Sequence, residues 1–326
     1  MHLGRVYLAT GEPDKALETH QQSLDIAIDI KDRLGEGQIL SYMGDVHDFR
    51  GETGIALEHY RQAVEIATVI GDRFGEADAL KKIANIQRRQ GQYTEALATY
   101  ENTRTIAIEI QDRKGVGDSL TGVGHIYVDQ YQYVEAERNY VLALDILAEL
   151  GDRAGEGDMR LTIGQLYESQ GQPLAALDFY QQALDIHTAI ENRSGEAVSL
   201  NQIGDTYLDR SQYPEALAYY DQSLAISREV GARAGEGTTL NNIGIDYENQ
   251  GNYSEALRYY DQSLAISREV GDRAGEGTTL SNIGVVYDNQ GNYSEALSYY
   301  EESLAILREV GELAGEGYTL NNIRSV

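Results

Sequence analysis

The residues RAGEGTTL occur at 233–240 and again at 273–280, and DQSLAISREVG occurs at 221–231 and again at 261–271. The offset is forty in both cases, and weaker copies fill the rest of the chain. A period of this length limits the outcome severely. Each unit is one supersecondary element that cannot bury its apolar face alone, so units must stack on their neighbours. One small residue keeps the register: Ala16, Ala56, Ala96, Ala136, Ala176, Ala216, Ala256 and Ala296 follow at that spacing without an insertion.

Each unit reads as two antiparallel helices, A and B. In the unit at 273–310, helix A is expected over Arg273–Asn289 with Asp272 as its N-cap, the carboxylate accepting orphan backbone N–H groups. Gly291 stops it, and helix B follows over about Ser294–Val310, closed by Gly311. Pro13, Pro173 and Pro214 all fall at the A–B turn or in the first turn of helix B, where a missing N–H costs nothing.

Around Ala256 the signature is Leu240, Ile243, Gly244, Tyr247, then Ala256, Tyr260 and Ser263. This pattern resembles the tetratricopeptide repeat (TPR) motif over essentially the whole chain. The resemblance implies an all-α, right-handed superhelical solenoid of antiparallel helix pairs. About eight units would form one solenoid over 1–326, beginning and ending inside a helix A. Extra residues lie in the SREVGDRAGEG junction. Long units of this kind are similar to LGN/Pins cell-polarity scaffolds and to bacterial TPR arrays often joined to CHAT protease-like domains. Neither end carries a polar capping helix, so Leu320 and Ile323 should be exposed, and molecules could stack end to end.

Several glycines and tyrosines belong to the framework. Gly244 is expected opposite Ala256, where a side chain would push the helices apart; Tyr247 and Tyr260 fall on buried faces. The middle of the chain is irregular: Tyr131 replaces a turn glycine, Glu137 a leucine, and Arg160 the apolar residue equivalent to Leu240. Met159 or Leu161 would fill the gap beside Arg160.

Chemistry is sparse. His2, His20, His47, His59, His125 and His187 show no zinc-ligand spacing, and there are no cysteines. The Gly275-Glu276-Gly277 triplet lacks the third glycine of a dinucleotide fingerprint, and no G-K-[ST] follows. No nucleophile is paired with a base, so neither an enzyme nor a cofactor is expected. The net charge of −27 disfavours nucleic acid and anionic membranes as partners. No stretch is long and apolar enough to span a bilayer, and the first residues lack a signal core. The absence of cysteine fits a reducing compartment, and the cytoplasm is the expected location.

Binding remains. On helix A, Leu240, Ile243, Gly244 and Tyr247 face helix B, and a second face centres roughly 140° away at about 100° per residue. In TPR proteins that face lines the peptide groove. Carried over, the resemblance assigns to it Lys81, Lys82, Asn85, Arg88 and Arg89; His125; Glu168; Asn201 and Asp205; Asn241 and Glu248; Ser281 and Asp288. Amides there can hold a peptide backbone without reading its sequence. They also serve as ordinary polar surface, and both readings stand. Lys81, Lys82, Arg88 and Arg89 form one basic face in an acidic array, either a solvated face or an anchor for a carboxylate. It is not the two-carboxylate clamp of chaperone-binding TPRs. Lys81 and Asn85 fit that pattern's first two places, but Gly122, Asp158 and Thr162 occupy the later ones.

The expected function is a scaffold for a protein or peptide ligand. A regulatory array whose effector, such as a CHAT domain, lies outside these residues is one alternative. A structural spacer, suggested by the near-identical units at 233–270 and 273–310, is another.

Overall fold

A computed structural model describes residues 2–9 and 11–325, with the backbone alone at His2 and Ala9; Met1, Thr10 and Val326 lie outside the described residues. The described residues form seventeen helices and no strand. They divide into two compact units, the first ending at Leu166 and the second beginning at Tyr167. The first holds α1 (His2–Ala9), α2 (Pro13–Asp29), α3 (Arg33–Phe49), α4 (Thr53–Ile70), α5 (Arg73–Arg89), α6 (Tyr93–Glu109), α7 (Arg113–Asp129), α8 (Tyr133–Leu150) and most of α9 (Arg153–Ser169). The second holds the end of α9, α10 (Pro173–Ala189), α11 (Arg193–Asp209), α12 (Tyr213–Val230), α13 (Arg233–Asn249), α14 (Tyr253–Val270), α15 (Arg273–Asn289), α16 (Tyr293–Val310) and α17 (Leu313–Ser325). Odd-numbered helices are A and even-numbered helices are B. The helix A expected over Arg273–Asn289 is α15, residue for residue, and the expected helix B begins one residue earlier, at Tyr293.

Local chemistry accounts for the breaks. Glycines close most turns in the left-handed region, for example Gly251 and Gly291 at φ 73° and 78°. Five turns place Lys31, Gln111, Tyr131, Glu191 and Ser211 there instead, at φ 56–60°. Tyr131 therefore keeps the turn geometry and bears its strain. The three prolines stand at the first or second position of α2, α10 and α12.

The D-R-x-G-E-G junction is a cap joined to a staple. Asp32, Asp72, Asp112, Asp152 and Asp272 each accept from the glycine N–H three residues on, at 2.9–3.0 Å. Asn192 does the same at 3.1 Å, and Ala232 has no such bond. At Arg73, Arg193, Arg233 and Arg273 the arginine that follows grips both the glutamate three residues on and one on the next helix B. Arg193 reaches Glu196 at 2.5 Å and Glu229 at 2.7 Å, and Arg233 reaches Glu236 and, at 2.5 Å, Glu269.

Both cores repeat one layer. All eight anchor alanines are 0% exposed. In the first unit Leu24, Ile39, Leu40, Met43 and Ile66 form one cluster. In the second, Tyr260, Leu264, Leu280, Ile283 and Val286 form another. At Arg160 the apolar layer is kept by Met159 and Leu161, both buried. On α17, Leu320 is exposed and Ile323 half-buried.

Candidate functional site

The polar face of the A helices is built outward from a tyrosine on helix B. Tyr60, Tyr100, Tyr140, Tyr180, Tyr220, Tyr260 and Tyr300 are all at most 2% exposed. A glycine on helix A makes room for the ring: a Cβ on Gly44, Gly124, Gly204, Gly244 or Gly284 would lie 2.4–2.6 Å from it. This corrects the expectation that set Gly244 against Ala256, since the group needing the space is the Tyr260 ring.

Most of these hydroxyls reach through to the polar face. Tyr60 donates to Asp45 at 2.8 Å, Tyr100 to Asn85, and Tyr220 to Asp205 at 2.7 Å. Tyr140 Oη lies 2.7 Å from His125 Nδ1. In the last repeats that acceptor position is Ile245 and Val285, and Tyr260 turns to Glu248 at 2.8 Å. Burial, then the adjoining Asp205, raises the Tyr220 hydroxyl pKa; burial, then Glu248, does so at Tyr260. Burial lowers the His125 pKa to about 4, with Arg88 contributing, so His125 is neutral at pH 7.

In the first unit the four cations on the polar face of α5 are tied to acids on both sides. Lys82 reaches Asp45 on α3 at 2.8 Å and Ser41 at 2.9 Å; Arg89 pairs with Asp48. Lys81 meets Asp118 on α7 at 2.8 Å, and Arg88 meets Asp129 at 2.9 Å. The basic face read from the sequence is thus a charge ladder that fastens α5 to its neighbours. Asp45, Asp48, Tyr60, Lys82, Asn85, Arg88 and Arg89 line a cleft of 320 Å³.

In the second unit the same face carries carboxylates and amides. Glu168 accepts from Thr206 at 2.9 Å, and Asp205 accepts from Asn242 at 2.8 Å. Burial, with Glu168 and Asp209 nearby, raises the Asp205 pKa to about 7. Burial also raises Glu168 and Glu248. Asn241 accepts from Asn282 at 3.1 Å. Asp288 is half-buried near Tyr300. Asn201 and Ser281 are only 8% and 2% exposed, so the open lining expected of them is corrected: both are largely buried, Ser281 against the next repeat. Ser281 Oγ there accepts from Thr319 at 3.2 Å.

Three features were not anticipated. Asp246 is 0% exposed at a position that is Val46 or Val286 elsewhere, and its Oδ2 has no partner. A slot between A and B takes His47 on His59 in one repeat, Gln87 with Thr99 in the next, and Tyr207 on Tyr219 or Tyr247 on Tyr259 later. Asn242 stands where Lys82 stands in the first unit; opposite-sign pairs thirty-seven residues apart, Asp45 with Lys82 and Lys81 with Asp118, are the sequence signal that would reveal the ladder. Among the described residues no group of three or more His, Asp or Glu is placed to hold a metal ion, and no helix is long and apolar enough to cross a membrane.

The tetratricopeptide repeat family model matches residues 1–68, 75–149, 115–189, 158–229, 195–269 and 235–309. A search of curated proteins gives no match. Among solved structures, a STAND signal-transduction ATPase with a tetratricopeptide repeat sensor from Pyrococcus horikoshii aligns with a TM-score of 0.64 at 15% identity, over 92% of this chain and 46% of that one. The chain thus spans about half of that protein. Aspartyl phosphate phosphatase F from Bacillus subtilis aligns at 0.66 and 15% identity, over 86% and 73%. A Rap conjugation gene regulator of plasmid pLS20, in complex with the Phr* peptide, aligns at 0.62 and 15%, over 86% and 76%. At these identities the likeness is one of fold.

Proposed function

The chain belongs to the tetratricopeptide repeat family, and from that premise we propose that it is a non-enzymatic scaffold binding an extended peptide or partner protein along the polar face of its A helices. The observation that carries this reading is the 320 Å³ cleft, where Asn85 stands among Lys82, Arg88 and Arg89. The Asn85 amide there suits backbone carbonyls, and a ligand carboxylate would share Lys82, Arg88 and Arg89 with the Asp45, Asp129 and Asp48 that they already hold. The regulator in complex with the Phr* peptide is a precedent for peptide capture on this fold.

A second reading, a regulatory array whose effector lies outside these residues, is supported by the STAND neighbour, whose repeats are described as a sensor. Both readings put the array in signalling inside the cytoplasm.

The test is a random-peptide display selection on the full chain, followed by hydrogen exchange with a selected peptide. Protection should concentrate on the A helices. Protection confined to helix B surfaces, or no binders at all, would remove the reading.

A further inference from the structure

We infer that the polar face of the second unit, where Asp205 and Asp209 follow Asn201 at successive turns of α11 and Glu168 reaches Thr206 from α9, receives an arginine side chain from a partner peptide. The inference rests on the peptide-binding reading above and names the ligand chemistry of one part of that face.

The repeat provides its own control. In the first unit Asp45 is neutralised by Lys82, thirty-seven residues further on, at 2.8 Å. In the second unit Asp205 has Asn242 at the same offset, a neutral amide donating at 2.8 Å. The hydrogen bond survives and the countercharge is gone. Asp209 follows one turn later on α11, and Glu168 approaches from α9 close enough to donate its field to Asp205 and accept from Thr206. The cations within α11, α13 and α15 are Arg193, Arg233 and Arg273 at the helix starts, each held by its own glutamate. Arg210 stands exposed past the end of α11.

A second observation is independent of charge. Asn201 is 8% exposed, sits one turn before Asp205 on the same face of α11, and its Oδ1 has no donor. Its counterpart Asn241 accepts from Asn282 Nδ2 at 3.1 Å. Asn242, which would do this for Asn201, donates to Asp205 instead. A buried amide oxygen without a donor is costly.

Asp205 therefore has a neutral donor where Asp45 has a cation, and Asn201 Oδ1 has no donor at all. The acids do not converge tightly enough for a metal ion, whereas a guanidinium brings five N–H donors in a plane and spans separated carboxylates. Lysine would supply the charge with fewer fixed donors. A small polyamine would satisfy the charge and leave Asn201 to chance.

The experiment uses the display-selected peptides on the full chain. Arginine should be enriched over the starting library. Replacing the selected arginine by citrulline, which keeps the shape and removes the charge, should weaken binding about tenfold, the equivalent of ~1.4 kcal/mol. In Glu168→Gln/Asp205→Asn/Asp209→Asn that citrulline penalty should shrink to about twofold or less, the signature of coupled groups. Asp205→Asn keeps an acceptor for Tyr220 and Asn242, and Glu168→Gln alone is a milder variant should the triple one misfold. Binders without arginine enrichment, or a citrulline penalty unchanged by the substitutions, overturn the inference and leave peptide binding standing. Spermidine that displaces the peptide equally from both proteins also overturns it. Absence of any binder removes the peptide-binding reading and this inference with it.

Discussion

At the scale of single residues, two positions break the repeat in opposite directions. Ala232 stands where Asp272 caps α15 through Gly275 N–H at 2.9 Å, and α13 lacks that bond. Ala232→Asp should stabilise the second unit by about 1 kcal/mol, the usual worth of an N-cap. A denaturation midpoint that stays put would show that another donor already serves the α13 N-terminus. Asp246 is the converse, a carboxyl in a valine's place. Burial raises its pKa to about 6. Its folded pKa is above the unfolded value near 3.8, so folding favours the protonated form; that contribution is present at low pH and lost as pH rises through about 6. Asp246→Val should accordingly gain stability over the parent at pH 7.5, by roughly 1–3 kcal/mol. The gain should shrink towards pH 4. Paired melts across that range decide it, and a pH-independent difference would place the cost elsewhere.

At the scale of the helix pair, spacing is set by glycine facing tyrosine. A Cβ on Gly244 would sit 2.5 Å from the Tyr260 ring, although the substitution gains up to about 1 kcal/mol in helix propensity. Overpacking typically costs about 1–3 kcal/mol, so Gly244→Ala should be net destabilising. Shortening the ring should relieve it. In a double-mutant cycle, Gly244→Ala with Tyr260→Leu should cost less than the two single changes added. Additive costs would mean that the ring can move aside. The slot between A and B shows a looser requirement, filled by stacked histidines, an amide–hydroxyl bond or stacked tyrosines. What the slot demands is two flat or polar groups that satisfy one another, and several pairs meet it.

At the scale of the molecule, charge is organised by unit. In the first, acids of α3 and α7 flank the cations of α5. In the second, the carboxylates of the polar face have amide and hydroxyl partners. Lys81→Glu with Arg88→Glu would set new acids beside Asp118 and Asp129. Repulsion then replaces attraction twice, and the first unit should lose roughly 1–2 kcal/mol at low salt, less at 1 M where screening acts over about 3 Å. Repeats interact through nearest neighbours, so hydrogen exchange should accelerate in α5 to α8 and stay unchanged in α13 to α16. Uniform acceleration would contradict that locality. The same variant should bind an acidic-ended peptide less tightly, and the salt-dependent loss of stability must be subtracted first.

The period, the anchor alanines and the capping residues are local or repetitive properties. For that reason the all-α fold, the helix pairs and the bounds of α15 were legible in the sequence alone. The polar face was legible as a set of positions, since helical geometry assigns residues to faces whatever packs against them. Its electrostatic character was not. That Lys82 is spent on Asp45 while Asn242 leaves Asp205 without a countercharge depends on which residues of successive repeats are brought within 3 Å. The burial of Asn201, Ser281 and Asp246 is likewise decided by how closely neighbouring helices approach. Sequence periodicity fixes the angle at which a side chain leaves its helix, and only tertiary packing decides whether it meets solvent, a partner or nothing at all.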